Sequence, residues 1–208
     1  GKGDRHAMRM RPGAASAAVI AAAFAIYIVA AASASAHLAA ATAGGWSDGL
    51  AHPFSGIDHL LAMIAVGVWA VQLGGRAMWL LPLTFPLFMA IGGGLGLAGV
   101  ALPGAEDGVA LSVAVLGVVL AVAARPPLAI GMATVGAFGL VHGNAHGATM
   151  PEAAAPMLYA LGFMAGTVLL HAIGVALGLI TRSPFGQRLL PIGAAAVAGI
   201  GITLVLAL

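Results

Sequence analysis

Long, uninterrupted apolar runs dominate this chain, and short connections with Gly, Pro and charged residues separate them. A run of about 20 apolar residues matches a helix that crosses a bilayer, whereas the strands of a membrane barrel alternate between apolar and polar positions. Six such segments are predicted, with the bounds 50–73, 78–101, 108–124, 127–147, 154–181 and 189–207. We therefore predict an all-α, polytopic membrane protein in which residues 37–208 form one six-helix transmembrane bundle.

The region before the bundle, residues 1–36, has the pattern of a secretory signal peptide. A basic stretch precedes an apolar run over 14–32, and the small residues Ser-Ala-Ser-Ala follow it at 33–36. Cleavage after this motif would make His37 the mature N-terminus, with a free amine next to its own imidazole. The alternative is an uncleaved helix, because the apolar run exceeds the ~7–15 residues of an ordinary signal core.

Composition narrows the class of protein further. Only 7% of the residues are charged, against about a quarter in soluble domains, so the sequence does not describe a soluble domain. The absence of cysteine excludes disulfides, thiolate metal sites and a cysteine nucleophile. The formal charge of +2, without a basic face beyond residue 11, argues against a nucleic-acid partner. The expected surroundings are those of the lipid bilayer.

The charged connections alternate in sign and thereby predict an orientation. The basic ones follow the first, third and fifth segments and carry Arg76, Arg125, Arg182 and Arg188. The acidic ones precede the first segment or follow the second and fourth, and they carry Asp48, Glu106, Asp107 and Glu152. Because basic loops stay in the cytoplasm, we expect both termini of the mature six-helix protein to lie on the opposite side of the membrane.

Two polar motifs interrupt the apolar segments. The first begins at His52 and ends with the pair Asp58-His59, and the second contains His142 and His146. Titratable side chains at membrane depth are energetically expensive, so they indicate function. Imidazoles and a carboxylate, without cysteine, favour a borderline divalent metal ion such as nickel, cobalt or zinc.

The helical repeat predicts how these ligands are grouped. On one straight helix, His52 and His59 share a face but differ by about 10 Å in depth, so one ion would not bind both. We therefore expect an outer site, a deeper site and one further histidine near the middle of the membrane. The outer ligands are His52, His146 and His37, the deeper ligands are Asp58, His59 and His142, and His171 lies beyond them.

At these motifs the chain resembles the HupE/UreJ family of nickel permeases. The matching patterns are H-x5-D-H at 52–59, His-Gly-x-Ala-His-Gly at 142–147 and Leu-His-x-x-Gly-x-x-x-Gly at 170–178. The second pattern departs from the family at Val141, where Phe is frequent, and in the spacing to the next acidic residue, Glu152. The resemblance implies uptake of Ni²⁺, with Co²⁺ as the alternative, as a transported substrate for hydrogenase or urease maturation proteins. It implies no prosthetic group. Together with the predicted orientation, it implies a multi-pass protein of the bacterial inner membrane with a periplasmic mature N-terminus.

Other functions stand as alternatives to transport. An intramembrane metalloenzyme would need a general base, but the sequence contains no H-E-x-x-H motif, and Glu152 is the only Glu near a histidine cluster. A membrane metal-binding scaffold would ordinarily have a soluble output region, which this sequence does not show. Structural interpretations also exist: helix capping by His52, an internally satisfied Asp58–His59 pair, and a His171 that a neighbouring helix satisfies.

The loop charges lead to a testable topology. Reporter fusions at Arg76, Arg125 and Arg182 should read as cytoplasmic, and fusions at Asp107 and Glu152 as periplasmic, because basic loops are retained on the inner side. Paired alkaline phosphatase and green fluorescent protein fusions measure this, since the first is active outside and the second fluoresces inside. Phosphatase activity at Arg125 would reverse the predicted orientation.

Overall fold

The computed structural model describes residues 45–148 and 155–208, and both stretches are helical, without a β-strand in either. The helices are α1 (Trp46–Ser55), α2 (Ile57–Leu73), α3 (Ala77–Leu97), α4 (Ala105–Ala121), α5 (Leu128–Ala148), α6 (Pro156–Ile180) and α7 (Gly186–Leu206). The predicted signal peptide, His37 and Glu152 lie outside the described residues. The prediction of an all-α protein is confirmed for the part that the structure describes.

Four of these helices are long and apolar enough to cross a membrane, namely α3, α5, α6 and α7. The pair α1–α2 meets the same criterion only when its two halves are counted as one span. Helix α4 has 17 residues, at the lower limit for crossing the hydrocarbon core. The chain is therefore a multi-pass membrane protein, while the count of six spans stays a prediction.

The first predicted segment is not one straight helix. Gly56 has φ −100° and ψ 127°, which is extended backbone, and α1 meets α2 there at an angle of 84°. A Cβ atom at Gly56 would lie 2.6 Å from Oδ1 of Asp58, so a larger residue would displace that carboxylate. The expectation that His52 and His59 lie on one straight helix is therefore wrong, because the helix breaks between them.

Helix α2 lies at the centre of the bundle. Every residue from His59 to Val71 is buried, and the helix packs against α3, α4 and α6. Outward-facing positions carry large apolar side chains instead; on α3 they recur every fourth residue as Trp79, Leu83, Leu87, Ile91 and Leu95. An apolar exterior around a core that contains buried histidines is the arrangement expected in lipid.

Helices α3 and α5 approach each other through glycine. A Cβ atom on Gly92 would overlap the carbonyl oxygen of Leu140, and one on Gly143 would overlap that of Met89. Small residues of this kind allow membrane helices to pack backbone against backbone. The contact positions the second half of α5, which carries both of its histidines, directly against α3.

The arginine-bearing connections gather at one end of the bundle. Arg125 and Arg182 line one cavity there, and Arg76 and Arg125 line a second. The histidine motifs belong to the opposite end, since α2 begins near His59 and ends just before Arg76. The alternation of charge along the sequence thus corresponds to a separation of charge between the two ends of the fold.

The close helix contact can be tested with two glycines of the same helix. Gly92→Ala should lower the free energy of unfolding by about 1–3 kcal/mol, because the new methyl group overpacks the α3–α5 contact. This corresponds to a fall of several degrees in the melting temperature in detergent, measured by circular dichroism. Gly94→Ala is the matched control, because no atom lies within 4 Å of its Cβ position. Equal melting temperatures for the two variants would contradict the backbone contact.

Candidate metal site

Three histidines from three helices bring their ring nitrogens together at the end of the bundle opposite the arginines. His52 comes from α1, His59 from the first turn of α2 and His146 from the last turn of α5. Each offers one nitrogen atom, and these three atoms lie within 4.8 Å of one another. The Nε2 atoms of His59 and His146 face each other in direct contact. A cluster of this size could hold a single metal ion.

Asp58 determines how His59 presents its ring. Oδ1 of Asp58 lies 2.7 Å from Nδ1 of His59 and also accepts a hydrogen bond of 2.7 Å from the His59 backbone N–H. An ionised carboxylate can only accept, so Nδ1 carries the ring proton and Nε2 keeps its lone pair. Carboxylate–histidine pairs orient metal ligands in this way and raise their basicity.

Two further histidines also have a partner at Nδ1. The Nδ1 atom of His52 lies 2.8 Å from the hydroxyl of Tyr159, which can either donate or accept. The Nδ1 atom of His142 lies 2.8 Å from the carbonyl oxygen of Phe138, one turn earlier in α5, and must donate to it. The Nε2 atom of His142 is buried and has no hydrogen-bond partner in the described part of the chain. The ring proton is thus held at Nδ1 in His59 and His142, which leaves the lone pair on Nε2 of each ring.

The grouping of the ligands differs from the sequence prediction. His59 joins His52 and His146 in one cluster, because the break at Gly56 turns the two halves of the first segment towards each other. Asp58 lies behind His59 and contacts its Nδ1. His142 lies one step deeper, with its ring centroid 5.2 Å from that of His59. The internal Asp58–His59 pair therefore exists, yet it leaves Nε2 of His59 facing the His146 ring.

His171 lies further inside, beyond a phenyl ring. The Phe85 ring centroid is 5.2 Å from that of His142 and 5.2 Å from that of His171. His171 is buried, and neither ring nitrogen has a hydrogen-bond partner among the described residues. The carbonyl of Pro82 lies near the ring, outside normal hydrogen-bond geometry; it has no helical donor, because residue 86 is also proline. Because Pro82 belongs to α3, the structural interpretation, in which a neighbouring helix satisfies His171, stays an alternative.

Two residues of the site could not be predicted from the sequence. Asn144 is fully buried; its Oδ1 accepts from the Leu102 backbone N–H at 2.7 Å, and its Nδ2 donates to the Val100 carbonyl at 2.7 Å. It therefore ties the α3–α4 connection to the turn of α5 between the two histidines. Its position between His142 and His146 was a usable signal, whereas nothing in the local sequence pairs Tyr159 with His52.

Comparison with known proteins covers most of the chain. The family model described as HupE / UreJ protein matches residues 23–204. Protein HupE of Rhizobium leguminosarum bv. viciae is 43% identical over 162 residues, which cover 78% of this chain and 85% of that protein. No solved structure matches. The range matched by the family model includes both histidine motifs and His171.

Removal of one hydroxyl tests the way in which His52 is held. Tyr159→Phe should weaken the binding of Ni²⁺ by about 10–100-fold, because partners that orient a metal ligand typically contribute that much to affinity. Equilibrium dialysis of the purified protein measures the change. Thr134→Val removes a hydroxyl that bonds only to its own helix, at Ile130, and should leave binding unchanged. Equal affinities for the Tyr159 variant and the wild type would exclude a role for this contact in metal binding.

Proposed function

This chain belongs to the HupE/UreJ family, and on that premise we propose that it is a permease for a divalent metal ion. The proposed substrate is Ni²⁺, with Co²⁺ as the alternative. The proposed direction is from the periplasm to the cytoplasm across the bacterial inner membrane, where the metal would supply hydrogenase or urease maturation proteins. The activity is transport, and no catalytic role is assigned to any residue.

One observation carries this proposal: ring nitrogens of His52, His59 and His146 meet inside a membrane protein, next to an Nε2 atom of His142 that has no hydrogen-bond partner among the described residues. Neutral imidazole is a good ligand for nickel, cobalt and zinc ions. Burying such nitrogens without a partner is costly, so the arrangement would be unfavourable unless a cation used it. The Asp58 carboxylate supplies negative charge next to His59, which favours a cation over a neutral solute.

The order of the rings supports a stepwise movement of the metal. Ring centroids follow one another at 4.8 Å from His52 to His146, 4.4 Å from His146 to His59 and 5.2 Å from His59 to His142. In our proposal the first three capture the ion, and His142 receives it next. Phe85 separates this region from His171, the last histidine of the row. A site with few protein ligands releases its ion more readily than a closed cage, which transport requires.

The mature N-terminus would add a ligand at the outer end. If the chain is cleaved after Ala36, the free amine and the imidazole of His37 together form a bidentate chelate. Residues 38–44 could then carry the ion towards His52. This part of the proposal concerns residues outside those that the structure describes.

Removal of individual ligands tests transport directly. His59→Ala and His142→Ala should each reduce nickel uptake by at least about tenfold, because each removes a ligand that no neighbouring nitrogen replaces. The measurement is the uptake of radioactive nickel into membrane vesicles, normalised to the amount of protein in the membrane. His171→Ala should reduce uptake less, because His171 has no second histidine or carboxylate in its own helix.

Gly94→Ala serves as the neutral control for these variants, since its side chain would meet open space. Wild-type uptake in both His59→Ala and His142→Ala would rule out the proposed site. Ni²⁺ binding without any uptake by the wild-type protein would instead favour a metal-binding scaffold.

A further inference from the structure

The end of the bundle opposite the histidines contains a cleft that metal transport does not explain. It has a volume of about 590 Å³ and lies between the ends of α2, α4 and α6 and the start of α7. Arg125, from the connection after α4, and Arg182, from the connection after α6, both line it. A neighbouring cavity of about 350 Å³ is lined by Arg125 and Arg76. Three basic connections therefore converge on one region.

Within residues 45–148 and 155–208, no ion pair joins an arginine of this region to a carboxylate, and no acidic residue of these ranges lines either cavity. Arg182 donates one hydrogen bond of 3.1 Å, to the Val71 carbonyl. A guanidinium group has five N–H donors, so most of its capacity stays available. The cleft thus has an excess of positive charge and of hydrogen-bond donors.

One feature of the cleft wall points to a ligand. Oε1 of Gln72 is buried and has no partner among the described residues, although Nε2 of the same side chain donates to Leu120 at 3.2 Å. Arginines together with an unused acceptor fit a ligand that carries both an anionic group and a hydroxyl group.

The surface beside the cleft indicates that the ligand also has an apolar part. Val122 and Ile192, each next to a residue that lines the cleft, are both 68% exposed, and Ile180 is 55% exposed. In a bilayer such side chains lie against acyl chains. Basic pockets between transmembrane helices on the cytoplasmic side are known to bind lipid head groups.

We propose that this cleft binds an anionic phospholipid with a hydroxyl-bearing head group, such as phosphatidylglycerol. The phosphate would contact Arg125 and Arg182, a head-group hydroxyl would donate to Gln72, and the acyl chains would lie along Val122 and Ile192. The bound lipid would link the α4–α5 connection to the α6–α7 connection. This inference does not depend on the transported metal.

Lipid binding to the purified full-length protein tests the assignment. Native mass spectrometry in detergent, with added phosphatidylglycerol or phosphatidylcholine, gives the dissociation constant for each lipid. The wild type should prefer phosphatidylglycerol. Arg125→Gln should weaken phosphatidylglycerol binding about fivefold, which is the contribution expected from one basic side chain near a membrane surface. The double variant, Arg125→Gln with Arg182→Gln, should weaken it about 25-fold. Arg188→Gln is the matched control, because Arg188 is exposed in the same region but does not line the cleft.

Each outcome decides the question. Unchanged phosphatidylglycerol binding in the double variant would overturn the proposal. Equal weakening in Arg188→Gln would also overturn it, since that result means diffuse attraction to surface charge. If glycerol 3-phosphate, which has no acyl chains, raises the melting temperature as much as the lipid does, the cleft binds a soluble phosphate compound and the lipid assignment is wrong. Arg125→Gln is decisive if the double variant fails to fold, because Arg125 makes no side-chain hydrogen bond within the described residues.

Discussion

The sharp turn at Gly56 is the constraint on which the site depends. A continuous helix would hold His52 and His59 about 10 Å apart along its axis. The 84° angle between α1 and α2 instead directs both rings at His146. The same residue leaves room for the Asp58 carboxylate, whose hydrogen bond then fixes the ring of His59. One position without a side chain therefore determines both where the three histidines lie and how the ring of His59 is oriented.

The close packing of α3 and α5 complements this turn from the other side. Helix α5 brings His142 and His146 into the interior only because Gly139 and Gly143 let it lie directly on the backbone of α3. The close approach also places Phe85 of α3 between His142 and His171. In lipid, where apolar burial gives little driving force between helices, contacts of this kind supply the packing energy. They offset the cost of leaving buried imidazole nitrogens without partners.

The sequence predicts the long helices well because their apolar runs are local and continuous. The segments predicted at 127–147 and 189–207 correspond to Leu128–Ala148 and Gly186–Leu206. The prediction of one helix is wrong for the segment 50–73, because one glycine interrupts the helix there without changing the apolar composition of the segment. The sequence identifies the histidines as polar residues that are energetically costly at membrane depth, but it does not predict how they are grouped in space. That grouping depends on the bend and on the contact between Tyr159 and His52, which are separated by 107 positions along the chain.

The two ends of the bundle have opposite electrostatic roles. At one end, a cluster of imidazoles with the Asp58 carboxylate next to it suits the approach of a cation. At the other, Arg76, Arg125 and Arg182 carry charge that no described carboxylate balances, and a divalent ion leaving there would be repelled. Such repulsion is strong where the surroundings are poor in water and weak where opposite charge lies close by. A phospholipid phosphate held between Arg125 and Arg182 would neutralise part of this barrier. In the orientation that the loop charges predict, the arginine connections would then lie on the inner side of the membrane without closing that side to a cation.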